Sequence, residues 1–297
     1  MTYALVSGIA ASGFYMLISI GFMLQLRVAD IVNFAHGCVV VAGMYLAIVF
    51  VNDSGMPYGL GVPLVVVAGL IPAWLIYEFL LRPARNQGHR MQIVVTILLL
   101  SILELIFAKA FGTDFKSIDI TPQAWEIAGV NLRRETVLAF FIAVTICTTL
   151  FVVFRYTTFG KSVEVAGKYP EGARSVGLPV DRLYRIVFLT GTAMTLLAGA
   201  LVVASDPATP FLGFEFVIIA VLITVAARLS FTGCAAASLL YGVGYAVLAK
   251  IFDSPEKGTI GIYLVFIVII AAGPAISALS RHIPQRRQAA VPAPGAS

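Results

Sequence analysis

The chain has 297 residues, of which 60% are hydrophobic and only 12% charged. A soluble domain carries about 25% charged residues, so charge this sparse excludes an ordinary water-facing surface of this size. Lys and Arg (20) outnumber Asp and Glu (15) for a net charge of +5, and the distribution of that excess along the chain makes it a topology signal rather than a nucleic-acid footprint.

A helix needs about 20 apolar residues to cross a bilayer. In chain order, apolar blocks of roughly that length occupy 4–26, 34–51, 60–81, 92–111, 136–154, 184–204, 211–229, 231–252 and 258–279. They predict an all-α polytopic membrane protein of about eight or nine transmembrane helices, in one domain over 1–280. The first block lacks a basic leader and is too long for a signal-peptide core, so a retained first helix is expected. The second block is short, and the seventh carries Glu215 and Arg228, which makes these two the candidates for a re-entrant or broken helix. Residues 281–297 end in Val-Pro-Ala-Pro-Gly-Ala-Ser, cannot bury a core, and are expected to form a flexible tail.

Basic residues concentrate in alternate connections. Arg82, Arg85 and Arg90 follow the third block. Arg155, Lys161, Lys168, Arg174, Arg182 and Arg185 fill or border the connection 155–185, and Arg281, Arg286 and Arg287 lie in the tail. The intervening connections are poorer in basic residues. With the positive-inside rule, nine passages and an N-terminus outside put every basic connection in the cytoplasm, together with the C-terminus.

Metal and disulfide chemistry have no sequence support. Cys38, Cys147 and Cys234 are far apart in apolar blocks, and His36, His89 and His282 show no ligand spacing. Gly160-Lys161-Ser162 looks like the end of a phosphate-binding loop, but position 155 is Arg where that motif needs Gly. The chain is not expected to bind ATP. No cluster of His, Asp or Ser-Lys pairs lies within the blocks, so the chain is not expected to be an enzyme.

The connection 155–185 is the most informative segment. Pro170 suits the first turn of a short helix, Glu171 suits its positive end, and Gly177 suits its stop. The residues alone leave two readings open: a plain connector, or a short cytoplasmic helix presenting small residues to another protein. Glu171-Gly172-Ala173 followed by Gly177 is similar to the Glu-Ala-Ala-x-x-x-Gly loop of ABC importer permeases. The flanking Phe159-Gly160-Lys161 and Leu178-Pro179-Val180-Asp181-Arg182 resemble the branched-chain amino acid permease family, as does the hexapeptide Val32-Asn33-Phe34-Ala35-His36-Gly37. The resemblance runs from about residue 5 to about residue 280. It departs from the family at Gly172, where Ala is usual. It departs again over Ala226–Cys234, where a Gly-Gly-x-Gly-Ser-x-x-Gly-Ala pattern keeps only Ser230 and Gly233.

The resemblance implies a bacterial inner-membrane permease that forms one half of a two-subunit pore, the other half being a second permease subunit. It implies two cytoplasmic ATPase subunits that grip Glu171, Gly172, Ala173, Arg174 and Gly177 and carry the ATP and Mg, so that this chain binds no cofactor. An extracytoplasmic binding protein would deliver the substrate. Amino acids are the family's commonest substrates, with urea, short amides and organic acids also open. Asn33, Phe34, His36 and Gly37 are expected near the translocation path or in helix packing, with Asn33 a possible helix cap. Glu104 and Glu215 lie in apolar blocks, where an ionisable group is a functional candidate by default. They carry the alternative reading of a proton-coupled transporter or channel working without ATPases. Glu78 is expected to pair with Arg82 at i,i+4.

Overall fold

The computed structural model describes residues 1–120, 124–127 and 129–281. The chain is helical almost throughout: α1 (Thr2–Arg27), α2 (His36–Ile48, extended by a π turn over Val49–Asp53), α3 (Tyr58–Ile76, extended by a π turn over Tyr77–Leu81), α4 (Arg82–Asn86) and α5 (His89–Phe111). A short antiparallel hairpin follows in the connection to the next helix, β1 (Ala124–Ile127) with β2 (Val130–Arg133). Then come α6 (Arg134–Tyr156), α7 (Thr158–Lys168), α8 (Pro170–Ser175), α9 (Val180–Val202), α10 (Gly213–Ala226), α11 (Phe231–Ile251) and α12 (Pro255–Arg281). The expected tail lies outside the described residues except for Arg281, the last residue of α12.

Among the described residues eight helices are long and apolar enough to cross a membrane. The expected seventh span is the exception. Over Pro210–Ala226 the helix is too short to cross, and an irregular segment, 203–209, completes the passage. At one end of that passage Lys116 and Ala208 exchange backbone hydrogen bonds of 3.0 and 2.8 Å. At the other end the Arg27 guanidinium donates to the Leu229 carbonyl at 2.9 Å. The chain therefore still passes from one end of the bundle to the other between α9 and α11, and the basic connections collect at a single end.

Apolar surface alone cannot hold helices together in lipid, because lipid tails are as apolar as Leu; close packing and internal hydrogen bonds must do so. The helices divide accordingly. In α1 and α9, 67% of the most apolar window is buried, and in α2 56%, against 17–22% in α3, α5, α6, α11 and α12. The first three form the centre, and the other five surround them with apolar outer faces. Small residues let the central helices touch: a Cβ on Gly43 of α2 would collide with the Leu196 carbonyl of α9, and one on Gly199 with the Val40 carbonyl. Tyr45 of α2 stacks on Phe111 of α5 with ring centroids 4.2 Å apart, fixing the outer ring to the centre.

The turn between α10 and α11 is strained. Arg228 and Leu229 both have left-handed backbones, with φ of 52° and 55°, a conformation that costs an L-residue about 1–2 kcal/mol. With Ser230 and Gly233 matched, Leu229 stands where the Gly-rich pattern has a glycine. The turn is held by Arg27 and by Ser230, whose hydroxyl accepts from Gly233 N at 3.1 Å to cap α11. Leu229→Gly is expected to move stability by less than about 1 kcal/mol, because relieved strain offsets the lost half-buried packing and the entropy of glycine. Leu229→Val, β-branched at positive φ, is expected to cost about 1–3 kcal/mol. Thermal midpoints in mild detergent check both; equal midpoints for the two variants would contradict the strain.

Candidate functional site

Two helices begin inside the bundle. After α1 the chain turns at Asp30, whose φ is 56°, and runs back beside α1 to start α2 at His36. The His36 ring meets the carbonyl of Ile18, nine residues before the end of α1 at Arg27. At 1.5 Å per residue this is roughly 13 Å below that end, near the middle of a hydrocarbon layer about 30 Å thick. The start of α10 lies at the same depth, since Gly37 of α2 packs on the Gly213 carbonyl so closely that any Cβ would clash. Both helices are approached through irregular backbone, from opposite ends of the bundle, and their N-termini meet.

Irregular backbone at membrane depth survives only where the protein satisfies its polar groups. A set of buried side chains does this for 31–35. Gln92 of α5 accepts from Val32 N at 2.8 Å, and the Thr96 hydroxyl lies 3.3 Å from the Val32 carbonyl. Asn33 donates to the Gln25 side chain at 3.1 Å, and Gln25 in turn donates to the Thr192 hydroxyl of α9 at 3.1 Å. His36 Nε2 lies 3.1 Å from Ile18 O and 3.0 Å from the Thr195 hydroxyl, which gives its own proton to Gly191 O at 2.9 Å. Both neighbours of Nε2 are therefore acceptors, and that nitrogen carries the hydrogen. His36 thus joins α1, α2 and α9.

Of the residues singled out in the sequence, His36 and Gly37 are fully inside, at the contact between helices. Phe34 is half-buried. Asn33 is buried and does not cap α2; it faces a cavity of about 170 Å³ shared with Thr192, Phe107, Phe188 and Leu196, and its Oδ1 has no hydrogen-bond partner among the described residues. Glu104 of α5 lies against the first turn of α10, its Oε1 3.2 Å from where a Cβ on Gly213 would be, and that oxygen has no hydrogen-bond partner among the described residues. The meeting of two helix N-termini puts two partial positive charges together in a dry interior, and this carboxylate lies against one of them. Glu215 is exposed on α10, on the side of Asp206 and Tyr15. The sequence reading missed Gln25, Gln92, Thr96, Thr192 and Thr195. Their signal was present as buried polar residues within apolar blocks, but only contacts from different helices reveal a shared purpose.

The second part of the site lies at the basic end. There α8 starts at Pro170 and stops at Gly177, whose φ is 82°. Gly177 N donates to Arg174 O and Leu178 N to Ala173 O, both at 3.0 Å; this paired closure needs the left-handed glycine. Ala173 is buried beneath the helix. Glu171, Gly172 and Arg174 face outward, Glu171 pairs with Arg174 at 3.0 Å, and Tyr169 and Val176 expose apolar surface on either side, 69% and 74% accessible. Beneath α8, Asp181 of α9 receives Arg85 at 3.0 Å and Arg174 at 3.6 Å. Glu78 receives Arg82 at 2.8 Å, the i,i+4 pair expected from the sequence, and Arg185 at 2.7 Å. Arg85 also covers the Tyr184 ring at 4.6 Å. These contacts tie α8 to α3, α4 and α9. Farther along α3 and α9, Gly69, Pro72 and Thr192 line the cavity beside Asn33.

A bundle with an irregular polar junction at its middle and an exposed short helix at one end defines a polytopic membrane permease. The chain belongs to the family described as the permease component of the branched-chain amino acid transport system, whose model matches residues 4–272. It is 23% identical over 283 residues to the high-affinity branched-chain amino acid transport system permease protein LivH of Salmonella typhimurium strain LT2, covering 89% of this chain and 91% of that protein. It is 22% identical over 282 residues to the permease protein BraD of Pseudomonas aeruginosa, covering 90% and 92%. Members of this family are transport components rather than catalysts.

The contact of Glu104 with the start of α10 has a direct consequence. Glu104→Gln keeps a polar oxygen facing the positive end of α10, whereas Glu104→Leu removes it, so the Leu variant is expected to lose about 1 kcal/mol more. Thermal midpoints in detergent measure the difference. Retained uptake by Glu104→Gln would accompany this packing role; complete loss of uptake at normal stability would instead mark Glu104 as a proton site.

Proposed function

We propose that this chain is the membrane-spanning permease of an ATP-driven importer, working with two cytoplasmic ATPase subunits, a second permease subunit and an extracytoplasmic binding protein. The observation that carries the reading is α8. It stands clear of the bundle at the basic end, offers Glu171, Gly172, Tyr169 and Val176 outward, and is bound through Arg174 and Asp181 to α9 and α4. Gly172 has nothing nearer than the Tyr169 side chain, 3.8 Å from where its Cβ would be, so a partner's surface can approach the backbone closely. Of the residues that match the permease loop, Glu171 lies on this face, and Ala173 is buried beneath it.

In this reading the basic end is cytoplasmic, the N- and C-termini are outside and inside respectively, and the membrane is the bacterial inner membrane. ATP and Mg stay on the partner subunits. Closure of the ATPases moves α8 as a handle. The ion pairs at Asp181 and Glu78 transmit the displacement to α3 and α9, whose walls flank Asn33 and the half-helix junction. Asn33 offers an acceptor amid aliphatic and aromatic walls, which suits a small solute with a hydrogen-bond donor and an apolar body. An amino acid with an apolar side chain fits that description and agrees with the names of the relatives; short amides and organic acids are the next candidates.

Glu171→Lys reverses the charge offered to the ATPase. The variant is expected to insert normally and to lose about tenfold or more of the uptake, since like charges at an interface cost several kcal/mol. Co-purification from mild detergent should recover ATPase subunits and a second permease with the wild type and not with the variant. Normal uptake by Glu171→Lys at normal expression would sink the coupling role of α8.

A further inference from the structure

The basic end carries a second feature, which the transport reading does not use. Helices α6 and α11 both pack along α1 but barely touch each other; Phe151 and Phe231, with centroids 5.6 Å apart, bridge the gap. The result is a cavity of about 400 Å³ at the boundary between the apolar bundle and the surface helix α7. Its apolar walls are Met23 and Leu24 of α1, Phe151 and Phe154 of α6, and Phe231 of α11, and its rim is charged by Arg27, Arg155 and Lys168 against the single acid Glu164. Two of these groups are partly engaged: Arg27 donates to the Leu229 carbonyl at 2.9 Å, and Lys168 pairs with Glu164 at 2.7 Å. Arg155 is exposed in the last turn of α6 and makes no ion pair among the described residues. Lys168 foremost, with Arg27 and Arg155 contributing less, holds the Glu164 carboxyl below the usual carboxylate range, so the rim keeps three cations facing one anion.

We propose that this cavity is a binding site for the headgroup of an anionic glycerophospholipid, with Arg155 as its principal phosphate contact. The chemistry has two halves that only such a lipid satisfies together. A net positive rim at the membrane surface attracts a phosphodiester carrying a further negative or neutral polar group. The aromatic and aliphatic wall of Phe151, Phe154, Phe231, Met23 and Leu24 takes the glycerol backbone and the first carbons of an acyl chain. Gly167 of α7 packs on Arg27 and Val28, so a lipid in this cavity braces α7 against α1 and α6. α7 leads directly into α8, and the bound headgroup thereby stiffens the base of the coupling helix.

The test uses the full chain, purified in mild detergent with whatever subunits accompany it, stripped of lipid and titrated by native mass spectrometry. Phosphatidylglycerol, phosphatidylethanolamine and soluble glycerol phosphate serve as probes. One phosphatidylglycerol per chain is expected to bind at least tenfold more tightly than either alternative. Arg155→Gln should weaken it about fivefold, and Arg155→Gln with Lys168→Gln about twenty-five-fold. Arg82→Gln, the same charge change at the same end but outside the cavity, should leave it unchanged. Salt raised from 0.05 to 0.5 M should weaken binding to the wild type. Equal binding of the two lipids, equal binding by Arg155→Gln and wild type, or glycerol phosphate binding as tightly as the lipid would each overturn the site.

Discussion

The constraint on which the whole structure depends is that no backbone amide or carbonyl can be left unpaired in hydrocarbon. A chain of continuous helices meets it automatically. This chain does not, because two of its passages are broken at the middle of the bundle. Gln25, Gln92, Thr96, Thr192, Thr195 and His36 are the response: buried polar side chains from α1, α2, α5 and α9 whose hydrogen bonds hold the irregular approach to α2 and the helices beside it. Each of them would be a liability alone. Together they make α1, α2 and α9 the fixed centre, and they explain why the most polar interior is also the most buried.

The broken passages bring two helix N-termini face to face. Glu104 lies where they meet, against the first residue of α10, so one of the two acids singled out in the sequence faces the positive helix ends. The small residues at the same place, Gly37 against the Gly213 carbonyl, allow the approach that the electrostatics would otherwise resist. A junction held by hydrogen bonds and close backbone contact, with an unpartnered acceptor on Asn33 beside a small cavity, is a place where helices can shift relative to one another without unfolding.

The basic end works differently. Its contacts are ion pairs and surface helices rather than packed apolar faces, with Asp181 and Glu78 each shared by more than one arginine. Exposed pairs of this kind add little stability individually. Their value is geometric: they keep α8 in register with α3, α4 and α9. Half the length of the bundle separates this end from the junction, and α3 and α9 span that distance as continuous walls.

The membrane class, the approximate number of passages, the clustering of basic connections and the limits of α8 were all legible in the sequence. Each depends on local quantities: the length of an apolar run, the sign of charge beside it, a proline that fits a first turn and a glycine that fits a left-handed stop. The hexapeptide 32–37 and the loop 171–177 were visible as motifs for the same reason. That the second and seventh blocks were the places for a broken helix was legible too, from the shortness of one and the charges of the other; the depth at which α2 and α10 begin, the meeting of their ends, the contact of Glu104 with Gly213 and the partnership of Gln25, Gln92 and Thr192 were not. A polar residue within an apolar run names its partner only when the helices have packed. Those features belong to contacts between residues as far apart as 25 and 192 or 104 and 213, and only the tertiary structure decides them.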